Sequence, residues 1–507
     1  MAAAVHLLGG SGGELNPASA RAIPRSSLDY RLGMPDAIVV GAGPNGLAAA
    51  LTLARAGLSV QLLEANDTVG GGLRSMESTL PGFIHDPCAT ILGTTAVSPF
   101  FKDFDLSRHG VEYLTPEAPL GHAFDDGPPA MLERSIDVTA AGLGRDGPSY
   151  RRLMTPLVAD IDKLMPWLFG PVIRPPRHPI AQARFGLPAI LPLTVFARLA
   201  FRDAAARALM AGLSGHSMIR LDRLATTSFG IVLAMTAHAS GWPVVRGGSG
   251  RLADGLAAEL RSLGGEIETG IRVTSLAELG PAKAIILDLA PRSVAQIAGE
   301  ALPAGYRRRL EQFRYGPGVF KVDWALDGPI PWRSPELARA GTVHLGGSMA
   351  EVVAAERAPH RGQIAERPFI LLVQATTFDP SRAPAGKHTA WGYCHVPAGS
   401  AVDVTDRIEG QIERFAPGFR DRILGRATTS AVEMETYDAN YVGGDINAGA
   451  QDLAQILARP VLAWDPYRTP RRGLYICSSS TPPGGGAHGM SGHLAAKSAL
   501  RHEFGVS

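Results

Sequence analysis

Three glycines near the start of the chain have the spacing of a site that holds a phosphate-containing ligand. Gly41, Gly43 and Gly46 form a GxGxxG pattern, and Glu64 follows eighteen residues after Gly46. Such glycines permit a tight turn and close approach of a pyrophosphate, while an acid about twenty residues further on accepts a hydrogen bond from a ribose hydroxyl and disfavours a 2′-phosphate. The motif therefore predicts FAD or NAD, rather than NADP, bound by Gly41, Gly43, Pro44, Asn45, Gly46, Glu64 and Ala65.

The elements around this motif are those that the chemistry requires. The apolar run Ala37 to Val40 predicts a buried strand, and the small and apolar residues from Leu47 to Ala56 predict a packed helix that Gly57 ends. Val60 to Leu63 predicts a second buried strand, which ends directly before Glu64. The sequence therefore contains a complete strand, glycine loop, helix, strand and acid, whereas an isolated GxGxxG is weak evidence.

A second glycine-rich loop lies at the other end of the chain. The stretch "STPPGGGAHGMSGHLAAKSAL", from Ser480 to Leu500, predicts a loop followed by a helix that begins near Met490. The preceding stretch, Gly473 to Ser480, predicts a last parallel strand that returns to the sheet begun at Ala37. We therefore expect both glycine loops to belong to one site.

The stretch "VGGGLRS", from Val69 to Ser75, resembles the second glycine motif of the flavoprotein superfamily that includes amine oxidases and phytoene desaturases. The resemblance implies that the cofactor is FAD and that Gly70, Gly71 and Arg74 contact its pyrophosphate. Leu73 stands between the glycines and Arg74, where the superfamily usually has the arginine directly after the glycine pair.

Longer strings resemble the phytoene desaturase-related branch over nearly the whole chain beyond residue 35, among them "TLPGFIHDPCAT", "RYGPGVFKVDWALDGPIPW" and "YVGGDINAGAQDL". This resemblance implies that the backbone of Val273 contacts the adenine. It also implies that Gly489, Met490 and Ser491 lie at the flavin ring, with Ser491 where relatives have cysteine. Carotene desaturases tend to have Asp-x-Gly-Pro where this chain has Asp86 followed by Pro87 and Cys88, so a carotenoid substrate is not expected.

The expected fold class is α/β, with a Rossmann-type FAD-binding domain whose parallel sheet is discontinuous in sequence, and a mixed α+β substrate domain with an antiparallel sheet. The segments 35–99, 241–299 and 466–507 are assigned to the FAD-binding domain, and 100–240 and 300–465 to the substrate domain. Extended runs at 318–328, 368–378 and 388–397 predict the antiparallel sheet. Residues 1–34 are interpreted as a flexible extension.

The composition narrows the function further. The formal net charge is +2 over 507 residues, so no strong electrostatic attraction to nucleic acid is expected. The three cysteines form no CxxC pair, so the sequence predicts neither a dithiol redox centre nor a cysteine-ligated metal site. No stretch is apolar and uninterrupted enough to predict a transmembrane segment. The expected location is the cytoplasm of a bacterium, with a mitochondrial leader at the N-terminus as the alternative. The oligomeric state is not predicted.

The expected function is that of an FAD-dependent oxidoreductase that moves a hydride between flavin and a C–H or C=C bond of a hydrophobic small molecule, with an unknown electron acceptor. A flavin-dependent polyene isomerase and a flavin-bound regulatory protein are the alternatives. His85 and Asp86 are candidates for an acid/base pair, although neighbours on a strand face opposite ways and a structural role is the alternative. His488 and His493 are candidates for contact with substrate or flavin, with a cap or surface role as the alternative. Asp445 and Asn447 are interpreted either as loop-structural residues or as substrate contacts. Cys477 is expected to be a buried apolar residue, with covalent attachment to flavin as the alternative.

Overall fold

The computed structural model describes residues 34–506, so the expected N-terminal extension, residues 1–34, lies outside the described residues except for Met34. The described part contains fourteen strands. They are β1 (Ala37–Val40), β2 (Val60–Leu63), β3 (Tyr113–Leu114), β4 (Ala118–Ala123), β5 (Ala130–Leu132), β6 (Val244–Val245), β7 (Glu266–Glu268), β8 (Ala284–Leu287), β9 (Gly318–Leu326), β10 (Ala340–Leu345), β11 (Ile370–Val373), β12 (His388–Val396), β13 (Ile423–Thr429) and β14 (Leu474–Ile476).

Eighteen α-helices connect or cover these strands within residues 34–506. They are α1 (Pro44–Arg55), α2 (Gly93–Ala96), α3 (Pro99–Lys102), α4 (Ile136–Gly142), α5 (Gly147–Ala159), α6 (Ile161–Leu168), α7 (Pro179–Ala189), α8 (Leu193–Ala200), α9 (Ala204–Gly215), α10 (Thr226–Ser240), α11 (Gly250–Ser262), α12 (Pro291–Ala298), α13 (Ala304–Glu311), α14 (Met349–Arg357), α15 (Thr405–Phe415), α16 (Ala431–Tyr437), α17 (Leu453–Leu457) and α18 (Met490–Ala499).

The first sheet is parallel throughout, with the strand order β14-β8-β1-β2-β7. Its apolar strands are buried because helices cover the sheet, as in other parallel sheets. The predicted α/β class and the discontinuous parallel sheet are confirmed. The sequence also predicts a strand pair that ends at Val273, and these bounds are wrong, since β7 ends at Glu268 and Val273 lies in an irregular segment beyond it. The strands fall within the segments assigned to the FAD-binding domain, whose boundaries stay a prediction.

The second sheet has seven strands in the order β13-β9-β12-β11-β10-β4-β5. The three runs predicted to be antiparallel form β9, β12 and β11, which pair antiparallel side by side. The sheet as a whole is mixed, because β10 pairs parallel with β4 from the first third of the chain. This pairing joins two distant parts of the chain into one wall.

Two helices from opposite ends of the chain pack against each other beside the first sheet. A Cβ atom added at Gly492 of α18 would lie 1.8 Å from the carbonyl oxygen of Asn45 in α1. This close approach requires glycine, and it brings the C-terminal helix onto the first helix of the nucleotide motif.

None of the helices between residues 34 and 506 is by itself long and apolar enough to cross a membrane. One bent pair, α7 with α8, passes that test of length and composition together, with an angle of 104° between its two helices.

Candidate functional site

The first glycine loop connects β1 to α1, and close contacts leave no room for a side chain at its three glycines. Gly41 has φ +98°, and a Cβ atom added at Gly46 would lie 1.8 Å from the carbonyl oxygen of Gly41. Helix α1 begins at Pro44 after the N-cap residue Gly43, which has no capping side chain, so the positive end of the helix dipole faces the loop and is available to an anion. The loop thus has the form of a phosphate-binding turn.

Asp288, which follows β8, lies under this loop and was not predicted from the sequence. Its Oδ2 accepts a hydrogen bond from the backbone N–H of Gly46 at 2.8 Å, and a Cβ atom at Gly43 would lie 2.8 Å from the same oxygen. Burial raises the pKa of Asp288 to about 8. The carboxyl group is therefore mostly protonated at neutral pH and adds little negative charge beside a bound phosphate. The sequence feature that could have identified Asp288 is its position directly after β8, at the carboxyl end of the strand next to β1.

Glu64 lies at the carboxyl end of β2 and is buried. Its Oε2 accepts a hydrogen bond from the N–H of Ala42 at 2.7 Å, and its Oε1 accepts one from the N–H of Asn66 at 2.9 Å. These contacts hold the carboxylate beside the glycine loop, with Ala65 next to it in the chain. Its expected contact with a ribose hydroxyl stays a prediction.

The second glycine segment lies directly against the first. Gly70 and Gly71 have φ +119° and +52°, and a Cβ atom at Gly71 would lie 3.1 Å from Cα of Gly43. Arg74 is buried, with Nη2 donating to the carbonyl of Thr68 at 3.1 Å, and its Nε has no hydrogen-bond partner among the described residues. An unpaired buried guanidinium N–H is costly, which favours a further acceptor at this position.

Val273 is buried and belongs to the same apolar cluster as Val40 and Leu63, at the ends of β1 and β2. It therefore lies on the side of the sheet where the nucleotide motif ends. Its contact with an adenine stays a prediction.

The C-terminal loop leads into α18 as predicted, with Gly489 at φ +66° before the first helical residue, Met490. His488 is buried, and both of its ring nitrogens form hydrogen bonds with the backbone of this segment. Nε2 donates to the carbonyl of Gly484 at 3.1 Å, and Nδ1 accepts from the N–H of Met490 at 3.1 Å. Burial lowers the pKa of His488 to about 4, so the ring is neutral. Ser491 Oγ lies 3.1 Å from the carbonyl oxygen of Pro482, to which it donates.

A cavity of about 620 Å³ brings the two ends of the chain together. Pro44 and Gly72, from the two N-terminal glycine segments, and the stretch from Gly485 to His488 all line it. Most of the remaining wall is apolar or aromatic, and it includes Trp167, Phe169, Phe185, Phe229, Leu233, Trp391 and Tyr393. Polar side chains in the wall are few, among them Thr90, His216, Asn447, Gln451 and Ser479.

His216 is a cavity residue that the sequence did not single out. Its Nε2 lies 3.1 Å from Nε2 of His344, a fully buried residue of β10. Burial lowers the pKa of His216 to about 3 and holds the pKa of His344 well below its ordinary range. Both rings are therefore neutral, and Nδ1 of His216 is the nitrogen left for a ligand. The local sequence around either residue gives no indication of this pair, because the two histidines are 128 positions apart.

His85 and Asp86 lie beside the cavity, and neither lines it. Asp86 is fully buried and accepts hydrogen bonds from Ser75, Thr90 and Arg382 at 2.5, 2.6 and 2.5 Å. Burial acts to raise the pKa of Asp86, but the Arg382 guanidinium and these hydrogen bonds outweigh it and lower the pKa. Burial lowers the pKa of His85 to about 4. The geometry favours a structural role for Asp86, which holds the cavity residue Thr90 in place. The catalytic role of His85 and Asp86 stays a prediction.

Two other candidates differ in their positions. Asn447 lines the cavity, whereas Cys477 is buried in the apolar core and is not part of the cavity wall. Within residues 34–506 there is no group of three or more His, Cys, Asp or Glu side chains arranged to hold a metal ion.

Comparison with known proteins gives concordant results. Residues 39–104 match the family model of the NAD(P)-binding Rossmann-like domain. Pyridine nucleotide-disulfide oxidoreductase domain-containing protein 2 of Rattus norvegicus is 26% identical, covering 92% of this chain and 93% of the relative. Phytoene desaturase (lycopene-forming) of a Paracoccus species is 23% identical, and the match covers 91% of this chain and 96% of the relative. A triple mutant of putrescine oxidase has a similar fold, with a TM-score of 0.59 at 17% identity. The match covers 92% of this chain and 98% of the putrescine oxidase chain.

Proposed function

Because the chain belongs to the amine oxidase/phytoene desaturase superfamily of Rossmann-fold oxidoreductases, we propose that it is an FAD-dependent oxidoreductase. The reaction is transfer of a hydride between flavin and a C–H or C=C bond of a hydrophobic small molecule. The observation that carries the proposal is the cavity of about 620 Å³ that joins the glycine segments of the nucleotide motif to an aromatic wall. Such a cavity suits a substrate with few polar groups.

The residues present fit FAD. Gly41, Gly43 and Gly46 have no room for side chains, Gly70 and Gly71 have little room and positive φ angles, and the positive end of the α1 dipole faces the loop where a pyrophosphate would bind. Glu64 would hold a ribose hydroxyl, and the unpartnered Nε of Arg74 would donate to a phosphate oxygen. The protonated carboxyl of Asp288 avoids repulsion with that phosphate.

The flavin supplies the hydride acceptor or donor when bound, and the chain supplies position and exclusion of water. Trp391 and Tyr393 stack in the cavity wall with ring centroids 5.9 Å apart. The start of α18 directs its positive end toward the loop 485–488, which lines the cavity, and there it would stabilise negative charge on a reduced ring.

His216 is the polar group best placed to orient a substrate. Its ring is held through Nε2 by His344, and Nδ1 has no protein partner among residues 34–506. Because the ring is neutral, it contacts a hydroxyl or carbonyl group by a hydrogen bond without introducing charge into an apolar cavity.

The decisive experiment identifies the cofactor and then asks whether a substrate reduces it. The purified protein is expected to show flavin absorption, to release FAD on denaturation, and to bleach under argon with a hydrophobic substrate. A colourless protein that FAD does not reconstitute would overturn the proposal. Conversion of a polyene to its isomer without net redox change would instead support the isomerase, and stable flavin without any turnover would support a regulatory role.

A further inference from the structure

One segment of the chain exposes an unusual number of large apolar side chains. Seven of the twenty exposed large hydrophobic residues within 34–506 lie between residues 172 and 199: Val172, Ile173, Ile180, Leu187, Ile190, Val195 and Leu199. Ile180, Leu187 and Leu199 are 69%, 73% and 76% exposed. We call this set the α7–α8 face. Single exposed apolar residues are common, but a set concentrated in 28 residues marks an interaction surface.

The same segment is strongly basic. From Lys163 to Arg202 the sequence contains six lysine and arginine residues and no aspartate or glutamate. Arg184 lies 3.6 Å from Asp160, whereas Arg177 and Arg198 are exposed and have no ion pair among the described residues. Exposed apolar side chains among unpaired arginines are typical of helices that lie in the interface of an anionic bilayer.

The cavity extends to the α7–α8 face. Val172 and Ile190 belong to this face and also line the cavity, and Phe185, Gly186 and Ala189 of α7 form part of the cavity wall. The cavity therefore reaches the surface among these apolar residues. A second exposed apolar group, Leu462 and Trp464, follows the cavity residue Ile456 in the chain.

The two helices are too short to cross a bilayer and are bent away from each other. An 11-residue helix extends about 16 Å, roughly half the thickness of the hydrocarbon core. With 104° between them, α7 and α8 form an angular surface and no continuous span. This shape suits a position at the boundary between the headgroups and the acyl chains, with the apolar side chains toward the acyl chains and the arginines among the headgroups.

We infer that the α7–α8 face docks on the surface of an anionic phospholipid bilayer. Docking places the cavity opening at Val172 and Ile190 against the acyl chains, so a hydrophobic substrate passes from the bilayer to the cavity without crossing water. The inference goes beyond the proposed function, and a vesicle-binding measurement tests it without flavin or turnover.

The experiment is flotation of the full chain with vesicles of phosphatidylcholine, alone or with about one third phosphatidylglycerol. We expect flotation with the anionic vesicles, little with the neutral ones, and weaker flotation at high salt. The double variant Leu187→Glu/Leu199→Glu is expected to lose flotation. Arg177→Gln/Arg198→Gln is expected to lower the partition coefficient about five-fold for each arginine removed.

The matched control is Val138→Glu/Val402→Glu, since both valines are exposed but lie outside the α7–α8 face. This control is expected to float like the parent protein, and equal melting temperatures show that the variants fold. Equal flotation of the Leu187/Leu199 variant and the parent would overturn the inference. So would a parent that does not float and forms a dimer that the Leu187/Leu199 variant lacks, because the face would then bind a second copy of the chain.

Discussion

The carboxyl group of Asp288 lies directly under the first glycine loop, where its Oδ2 accepts a hydrogen bond from the backbone N–H of Gly46 at 2.8 Å. The two residues are 242 positions apart, and the contact exists because β8 pairs with β1 in the parallel sheet. A buried acid at this position affects both the stability of the fold and the charge of the nucleotide site.

The first prediction concerns the dependence of stability on pH. The pKa of Asp288 is raised from about 4 to about 8, so the folded state holds a proton that the unfolded state releases. The stability that this group contributes is fully present below about pH 4 and is lost as the pH rises to about 8. Asp288→Asn is expected to flatten this decline, as measured by thermal unfolding across that range. Flavin content at neutral pH should be retained.

Asp288→Ala is the companion variant, because it removes the titrating group and also the acceptor for Gly46. It should show the same flattening with lower stability and less bound flavin. An unchanged slope with pH in both variants would show that Asp288 is ionised in the folded protein.

The second prediction concerns the contact between the two terminal helices. Gly492→Ala places a Cβ atom 1.8 Å from the carbonyl oxygen of Asn45, and a backbone collision of this kind is expected to cost about 3 kcal/mol or more in the free energy of unfolding. Gly489→Ala adds a residue at φ +66° that also meets Phe100 at 2.8 Å, and it should reduce flavin retention. Denaturant unfolding and the flavin to protein ratio measure these effects.

The control for both glycines is Gly410→Ala in α15, where a Cβ atom meets nothing within 4 Å. This change should leave flavin content unaltered and stabilise the helix by up to about 1 kcal/mol. Flavin content equal to that of the parent protein in Gly489 and Gly492 variants alike would remove these residues from the cofactor site.

The third prediction assigns Glu64 to the ribose. Glu64→Gln loses the charged acceptor, and the affinity for FAD should fall about ten-fold or more. Glu266→Gln, on the exposed start of the neighbouring strand β7, should bind FAD as the parent protein does. Titration of FAD into the flavin-free proteins gives both affinities, and equal values for Glu64→Gln and the parent protein would refute the assignment.

The fourth prediction separates a structural from a catalytic role for Asp86. Asp86→Asn leaves the buried Arg382 without its closest carboxylate, and loss of one partner of a buried ion pair costs about 3–5 kcal/mol. We expect a lower melting temperature with little change in kcat of the folded enzyme. Asp126→Asn, in an exposed loop, is the control for the loss of one negative charge. A large fall in kcat at unchanged stability would make Asp86 catalytic.

The fifth prediction concerns His216. Because burial lowers its pKa to about 3, the ring does not titrate near neutral pH, and His216→Asn should change KM or kcat without moving the inflections of the pH profile. His344→Gln is expected to act in the same direction more weakly, since it only positions His216. An inflection near neutral pH that disappears in His216→Asn would contradict this interpretation.

Local patterns were sufficient for the strands and glycine loops of the nucleotide motif but not for contacts between distant parts of the chain. Strands β1 and β2 have the predicted bounds, and α18 begins at the predicted Met490, because short apolar runs bounded by glycine leave little choice of register. Asp288 and the pair of His216 and His344 were missed because each depends on strands or helices that meet only in the fold. The parallel pairing of β4 with β10 was missed for the same reason.

The contact between α1 and α18 has a consequence for the order of events during synthesis. The ribosome makes β1 and α1 more than 400 residues before β14 and the helix that covers α1. The apolar surface that these two elements cover therefore stays exposed until residues 474–499 have been made, and pairing over such sequence distances is slow. A nascent chain that stops before residue 474 lacks both elements, so we expect it to be a substrate for chaperones and proteases.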